Sequence, residues 1–241
     1  MNKRNLALFA ALIATSIFGF NHTIAKELMP DFISPSALLY VRVLGATILF
    51  WFIGLFFPNE YIKKKDRIRL VLCALFGMSI NMIASLKGLS LTTPINSAII
   101  STTAPITIFI ISIILIKEKI TKQKYIGVIV GFLGALFLIL FNNKIIVNAP
   151  NIKLGNIFIF ANSISYGLYY VLVKPLTEKY SMITLMKWLF LVSIIINAPI
   201  SFTEFINIQW QNFVPSALIN LLFVVICTTF LVYLLNLYAL K

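Results

Sequence analysis

Eight stretches of this chain, at 6–25, 36–57, 68–88, 95–116, 125–142, 154–173, 182–202 and 215–238, are apolar, almost free of charge and about 20 residues long. A hydrocarbon layer about 30 Å thick is crossed by roughly 20 residues of helix, so each run has the length of a membrane span. With 60% hydrophobic and 11% charged residues, the chain has too little polar surface to cover a water-soluble core. The runs are about twice the length of barrel strands and lack in–out alternation, which excludes a transmembrane β-barrel. The reading is an all-α polytopic membrane protein with eight transmembrane helices, numbered one to eight below.

The formal charge of +13 raises the question of nucleic acid, but the lysines and arginines lie in short clusters between the apolar runs. Counted on alternate sides, fourteen fall with the N-terminus, among them Lys3, Arg4, Lys63, Lys64, Lys65, Arg67 and Arg69. Only Lys26, Lys87, Lys144 and Lys153 fall opposite. The positive-inside rule therefore predicts a cytoplasmic N-terminus, and the expected partner is lipid, with no nucleic acid. The first run is long enough to span and no A-x-A site follows it, so it reads as a retained helix. Cys73 and Cys227 lie within apolar runs, as buried small hydrophobes do.

Ser16 to Lys26 is repeated as Ile164 to Lys174, with Gly19 and Gly167 separated by 148 positions, as are Lys26 and Lys174. Five crossings lie between the copies, and an odd number inverts the second. This predicts a first repeat over 1–142 with five helices, an extracellular linker over 143–153, and a second repeat over 154–241 with three. A second copy matching the first would have two more helices, ten in all. The chain is then expected to be either a fragment or a shortened variant.

All seven acids, Glu27, Asp31, Glu60, Asp66, Glu118, Glu178 and Glu204, lie in loops or at helix ends. That removes the paired acids or metal cluster of an intramembrane enzyme and the usual carboxylate proton relay. His22, the single histidine, cannot make a metal site alone. No phosphate-cradling glycine loop is present. The chain reads as a non-enzyme without cofactor or metal.

Two cations fall inside spans, Arg42 and Lys187. A charge at mid-membrane costs roughly 2.5–3.5 kcal/mol on insertion scales. Arg42 either snorkels to the interface or faces the bundle interior; for Lys187 snorkelling is the expectation. In helix one, Thr15, Gly19, His22 and Lys26 share a face, matched in helix six by Ser163, Gly167, Tyr170 and Lys174. Tyr166, Tyr169 and Tyr170 either line a cavity or form an interfacial belt. Ser101-Thr102-Thr103-Ala104-Pro105 predicts a kink in helix four, either repaired by its hydroxyls or serving as a hinge. Asn81, Asn162, Asn197 and Asn220 suit interhelical hydrogen bonds, with Asn81 and Asn162 also assigned to a cavity. Gly127, Gly131 and Gly134 form a small-residue strip for close helix packing.

From Ala98 to Leu138 the chain resembles the EamA-type carriers of the drug/metabolite transporter superfamily. The similar features are Ser101 to Pro105, Lys117-Glu118-Lys119-Ile120-Thr121 and the glycine-rich Ile126 to Gly134. Ile33-Ser34-Pro35 followed by Arg42, and Leu237 to Lys241, extend the resemblance along the chain. It implies an inverted-repeat bundle around a central cavity and alternating-access transport of small organic metabolites, often export of amino-acid-like solutes. On that reading Asn21, His22, Arg42, Asn81, Asn96, Ser101, Tyr166 and Tyr169 line the substrate pocket. A membrane-embedded lipid-modifying enzyme and a non-transporting scaffold are the alternatives.

Overall fold

The computed structural model describes residues 3–58, 60–116 and 149–240, together with helical residues at 126, 127, 129, 130, 133, 134 and 137. Among the described residues, seven helices are long and apolar enough to cross a membrane. They are helix one (Lys3–Leu28), two (Pro35–Gly54), three (Lys64–Leu91), four (Pro94–Leu115), six (Ile152–Thr177), seven (Met182–Ile206) and eight (Pro215–Ala239). The expected helix five falls largely outside the described residues. So do Gly131, the turn at 117–121 and most of the linker.

The starts of the helices follow from local chemistry. Ser34, Thr93 and Ser181 each accept a hydrogen bond from the backbone N–H three residues on, and Asn151 does the same for helix six. Pro35 and Pro94 follow their caps at the first helical position, where proline sacrifices no helical hydrogen bond.

Three helices are not uniform. Helix four breaks at Thr102–Thr103, between α-helical Pro94–Ser101 and Ala104–Ile116. The hydroxyls of Thr102 and Thr103 donate to the carbonyls of Ile99 and Ile100, so the break is closed by its own side chains. Helix three passes through a π-helical segment, Leu75–Ile80, and helix eight through another, Phe223–Leu231. An offset of 148 positions carries Leu75 onto Phe223.

Helix two packs along helix seven, helix three along helix six, helix one along helix eight, and helix four against helix six. Helices two and seven run antiparallel. Tyr40 meets Phe202 and Phe205, Phe50 stacks on Phe190 at 5.3 Å, and the Trp51 indole donates to the Lys187 carbonyl. Helices three and six cross at Gly88 and Gly155. A Cβ on Gly155 would lie 2.8 Å from the Gly88 carbonyl oxygen, so only glycine permits the backbones to come this close. The outward faces carry Leu8, Phe9, Leu12, Phe20, Ile114 and Ile195, all exposed as lipid-facing residues are.

Candidate functional site

The π segment of helix three sets the polar centre of the bundle. Wider i→i+5 winding leaves carbonyls to be satisfied from outside the helix. Ser165 of helix six donates to the Phe76 carbonyl at 2.7 Å, and the Tyr233 hydroxyl of helix eight donates to the Gly77 carbonyl at 2.9 Å. Gly77 has no side chain because the Tyr169 ring occupies that space; a Cβ would collide with it. At the end of the π segment, Asn81 and Asn162 exchange hydrogen bonds. Asn162 Nδ2 donates to the Asn81 carbonyl at 2.9 Å, and Asn81 Nδ2 reaches the Asn162 carbonyl at 3.5 Å. The Tyr233 hydroxyl also lies 3.3 Å from Asn81 Oδ1.

Beside this network sits Arg42, 3% exposed, donating through Nε to Thr229 Oγ1 at 2.9 Å. Thr229 in turn donates to the Val224 carbonyl, five residues back within the second π segment. Among the described residues no carboxylate pairs with Arg42. A buried guanidinium with five donors and one hydroxyl partner is an anion-seeking group. The wall is aromatic. Tyr166, Tyr169 and Tyr170 pack within 6 Å of one another, Tyr233 closes on Tyr169, and Asn236 donates to the Tyr166 hydroxyl at 3.0 Å.

Of the sequence-predicted site residues, Arg42, Asn81, Tyr166 and Tyr169 therefore meet in one centre. His22 and Asn96 belong to a second cluster between helices one, three, four and six. His22 Nδ1 lies 2.9 Å from Ser97 Oγ, Asn96 Nδ2 donates to Thr92 Oγ1 at 3.4 Å, and the Thr92 hydroxyl donates to Asn156 Oδ1 at 2.6 Å. Asn21 is buried next to His22, and its Oδ1 has no hydrogen-bond partner among the described residues. Ser101 is half-buried at the end of the first segment of helix four.

Several expectations are corrected. Thr15 and Gly19 are exposed, and the Thr15 hydroxyl bonds back to the Ala11 carbonyl, so of the helix-one face only His22, buried against Ser97, and Lys26, which donates to the Leu89 and Ser90 carbonyls, turn inward. Its counterpart in helix six does turn inward, Ser163 being buried and Gly167 packing against Ile108 and Ile111. Lys187 does not snorkel. It is 8% exposed, with its stem on Gly54 and its Nζ 4.8 Å from the centre of the Trp51 ring, a cation–π contact that compensates burial. The three tyrosines form no interfacial belt. The Gly127, Gly131 and Gly134 strip stays an expectation, because Gly131 and most of the surrounding segment lie outside the described residues. Asn220 of helix eight makes the interhelical hydrogen bond expected of it, donating to Glu27 at the end of helix one.

Sequence reasoning missed Thr229, Tyr233 and Asn236. Their spacing of four and three residues puts them on one face of helix eight, a signal that was available.

The EamA-like transporter family matches this chain over residues 5–140 and 153–241. Among similar proteins, the uncharacterized transporter YetK of Bacillus subtilis is 26% identical over 220 residues, which are 90% of this chain and 66% of the relative. The uncharacterized transporter YyaM of the same organism is 27% identical over 83% of this chain and 69% of its own length. An uncharacterized transporter of Archaeoglobus fulgidus is 29% identical over 64% of this chain and 52% of that protein. The chain thus spans half to just over two thirds of the length of these relatives. A protein crystal structure at 13% identity aligns with a TM-score of 0.65 over 99% of this chain and 79% of its own, a likeness of fold alone. The buried polar centre lies within a bundle of membrane-spanning helices matched along nearly all its length, and the chain belongs to the EamA-like transporter family, a family of membrane transporters.

Proposed function

We propose that this protein is a secondary carrier that moves small organic solutes, amino-acid-like or related and in the direction of efflux, across a bacterial inner membrane by alternating access. Its halves are 1–142 and 154–241, inverted about the helix two–helix seven seam, with 143–153 as the extracellular linker and the N-terminus cytoplasmic. The observation that carries this reading is Arg42: a buried cation without a described carboxylate partner, at the junction of helices from both halves. In that role Arg42 takes the carboxylate of the solute. Asn81, Tyr233 and Asn236 offer hydrogen bonds, and Tyr166 and Tyr169 form the wall.

Inversion of the halves is supported by the offset that relates the repeats. It carries Leu75 onto Phe223, the starts of the two π segments, and it carries the pairing of helix three with helix six onto that of helix eight with helix one. Rocking needs seams that hold more than one arrangement. Helix seven supplies Ser193, Asn197 and Ser201 at four-residue spacing, all buried, each with a polar atom unpartnered among the described residues. Those groups find partners when helix two shifts along helix seven.

Reconstitution into liposomes and measurement of counterflow with a panel of carboxylate and non-carboxylate solutes tests the proposal. Wild-type exchange of a carboxylate solute that is lost in Arg42→Gln, with the variant still folded, is the expected result. Absence of exchange for every solute, or exchange indifferent to Arg42, overturns it.

A further inference from the structure

We infer that the loops joining helices two to three and six to seven form a binding site for the phosphate of an anionic membrane lipid. A cavity of about 250 Å³ opens there, lined by Lys63, Lys65, Lys179 and Tyr180. It lies where helix three begins at Lys64 and helix six ends at Thr177, hence at the level of the lipid headgroups.

Lys63, Lys65 and Lys179 line this cavity, and among the described residues only Lys179 is in an ion pair. Lys179 pairs with Asp66 at 2.9 Å. The other Asp66 oxygen accepts from the Tyr180 hydroxyl at 2.9 Å, so both carboxylate oxygens are engaged. Tyr180 Oη also accepts from the backbone N–H of Lys63 at 3.1 Å, which fixes the floor of the cavity to the start of helix three. That start has no side-chain cap, and Asp66 in its first turn offsets part of the positive end of the helix dipole. The result is a cationic cavity suited to a phosphate oxyanion, in which Lys63 and Lys65 make no ion pair among the described residues and the neighbouring Glu60 carboxylate is held by the Ser181 N–H.

The adjoining surface selects the source of that phosphate. Ile68, Val71 and Leu72, within two turns of Lys65 on helix three, are 75%, 44% and 37% exposed. They form an apolar strip running from the cradle along the span. A phosphodiester in the cradle places its acyl chains on this strip, whereas inorganic phosphate leaves the strip unused. The site is separate from the buried centre and does not depend on the carrier proposal.

The test is native mass spectrometry of the full chain in mild detergent, titrated with phosphatidylglycerol. Lys63→Gln with Lys65→Gln should weaken lipid retention about thirtyfold, the combined worth of two interfacial lysines. Lys64→Gln with Arg67→Gln removes the same charge from positions that do not line the cavity and should weaken retention clearly less than the first pair does. Equal losses in the two double variants would reveal diffuse surface attraction and overturn the site. A thermal shift with inorganic phosphate but no lipid retention would overturn the lipid assignment in favour of a free anion. Photo-crosslinking of an azido-acyl phosphatidylglycerol to the wild-type chain is independent of any variant's folding: labelling at Ile68, Val71 or Leu72 supports the site, and labelling confined elsewhere overturns it.

Discussion

Arg42 on helix two donates its Nε–H to the hydroxyl of Thr229 on helix eight, 187 positions away, at 2.9 Å. The bond ties a buried cation to the π-helical segment Phe223–Leu231, a winding that recurs at functional sites. A charge held there at a cost in folding energy has a use, and several expectations follow from this and the neighbouring contacts.

Replacing Arg42 by Met separates stability from transport. Removal of a buried cation with one hydroxyl partner recovers part of its desolvation penalty, so Arg42→Met should leave unfolding free energy unchanged or raise it by about 1–3 kcal/mol. Counterflow should fall at least about tenfold, because the solute loses a charge-assisted contact. Detergent unfolding curves and liposome flux measured on one preparation check both halves of this expectation.

Asn81 and Asn162 each donate to the other's backbone carbonyl, which survives substitution of either side chain. Alanine at either position should cost about 0.6–1.7 kcal/mol, the range for a hydrogen bond between membrane helices. The two costs should be close to additive, because neither side chain is the other's partner. A double-mutant cycle in unfolding free energy measures this.

At the crossing of helices three and six, Gly155→Ala places a methyl carbon against the Gly88 carbonyl and the backbone of Thr92. Separation of the helices should cost about 1–3 kcal/mol. Gly19→Ala, on the exposed face of helix one with nothing within 4 Å of an added Cβ among the described residues, should cost less than about 0.5 kcal/mol and serves as the control. Resistance to unfolding in dodecyl sulfate reads the difference.

Tyr180→Phe removes both the donor to Asp66 and the acceptor of the Lys63 N–H. A loss of about 1–2 kcal/mol is expected, since two net hydrogen bonds disappear from a buried hydroxyl. Lys179→Gln, whose side chain is 43% exposed, should lower the melting temperature less, because solvent already screens its ion pair.

The span positions were legible in the chain because bilayer thickness imposes a length that any run of apolar residues either meets or fails. Helix boundaries at Ser34-Pro35, Thr93-Pro94 and Ser181 were equally local, being written in cap chemistry. The likeness at a 148-residue offset is a pattern of the sequence itself, carried by Gly19, Lys26, Gly167 and Lys174. Which way each polar side chain points was not. Helices apolar on nearly every side have little amphipathic stripe to orient them, so Thr15 and Ser163, related by the repeat offset, face opposite environments. The inward rotation of Arg42, the burial of Lys187 over Trp51, the grouping of the tyrosines and the two π segments arise from packing between distant helices. Those contacts depend on close approaches such as Gly77 to Tyr169 and Gly88 to Gly155, between residues that share no local sequence. Local propensity and hydrophobic length act within one helix; the rotation of a helix is an energy shared with its neighbours, and it exists only once they are assembled.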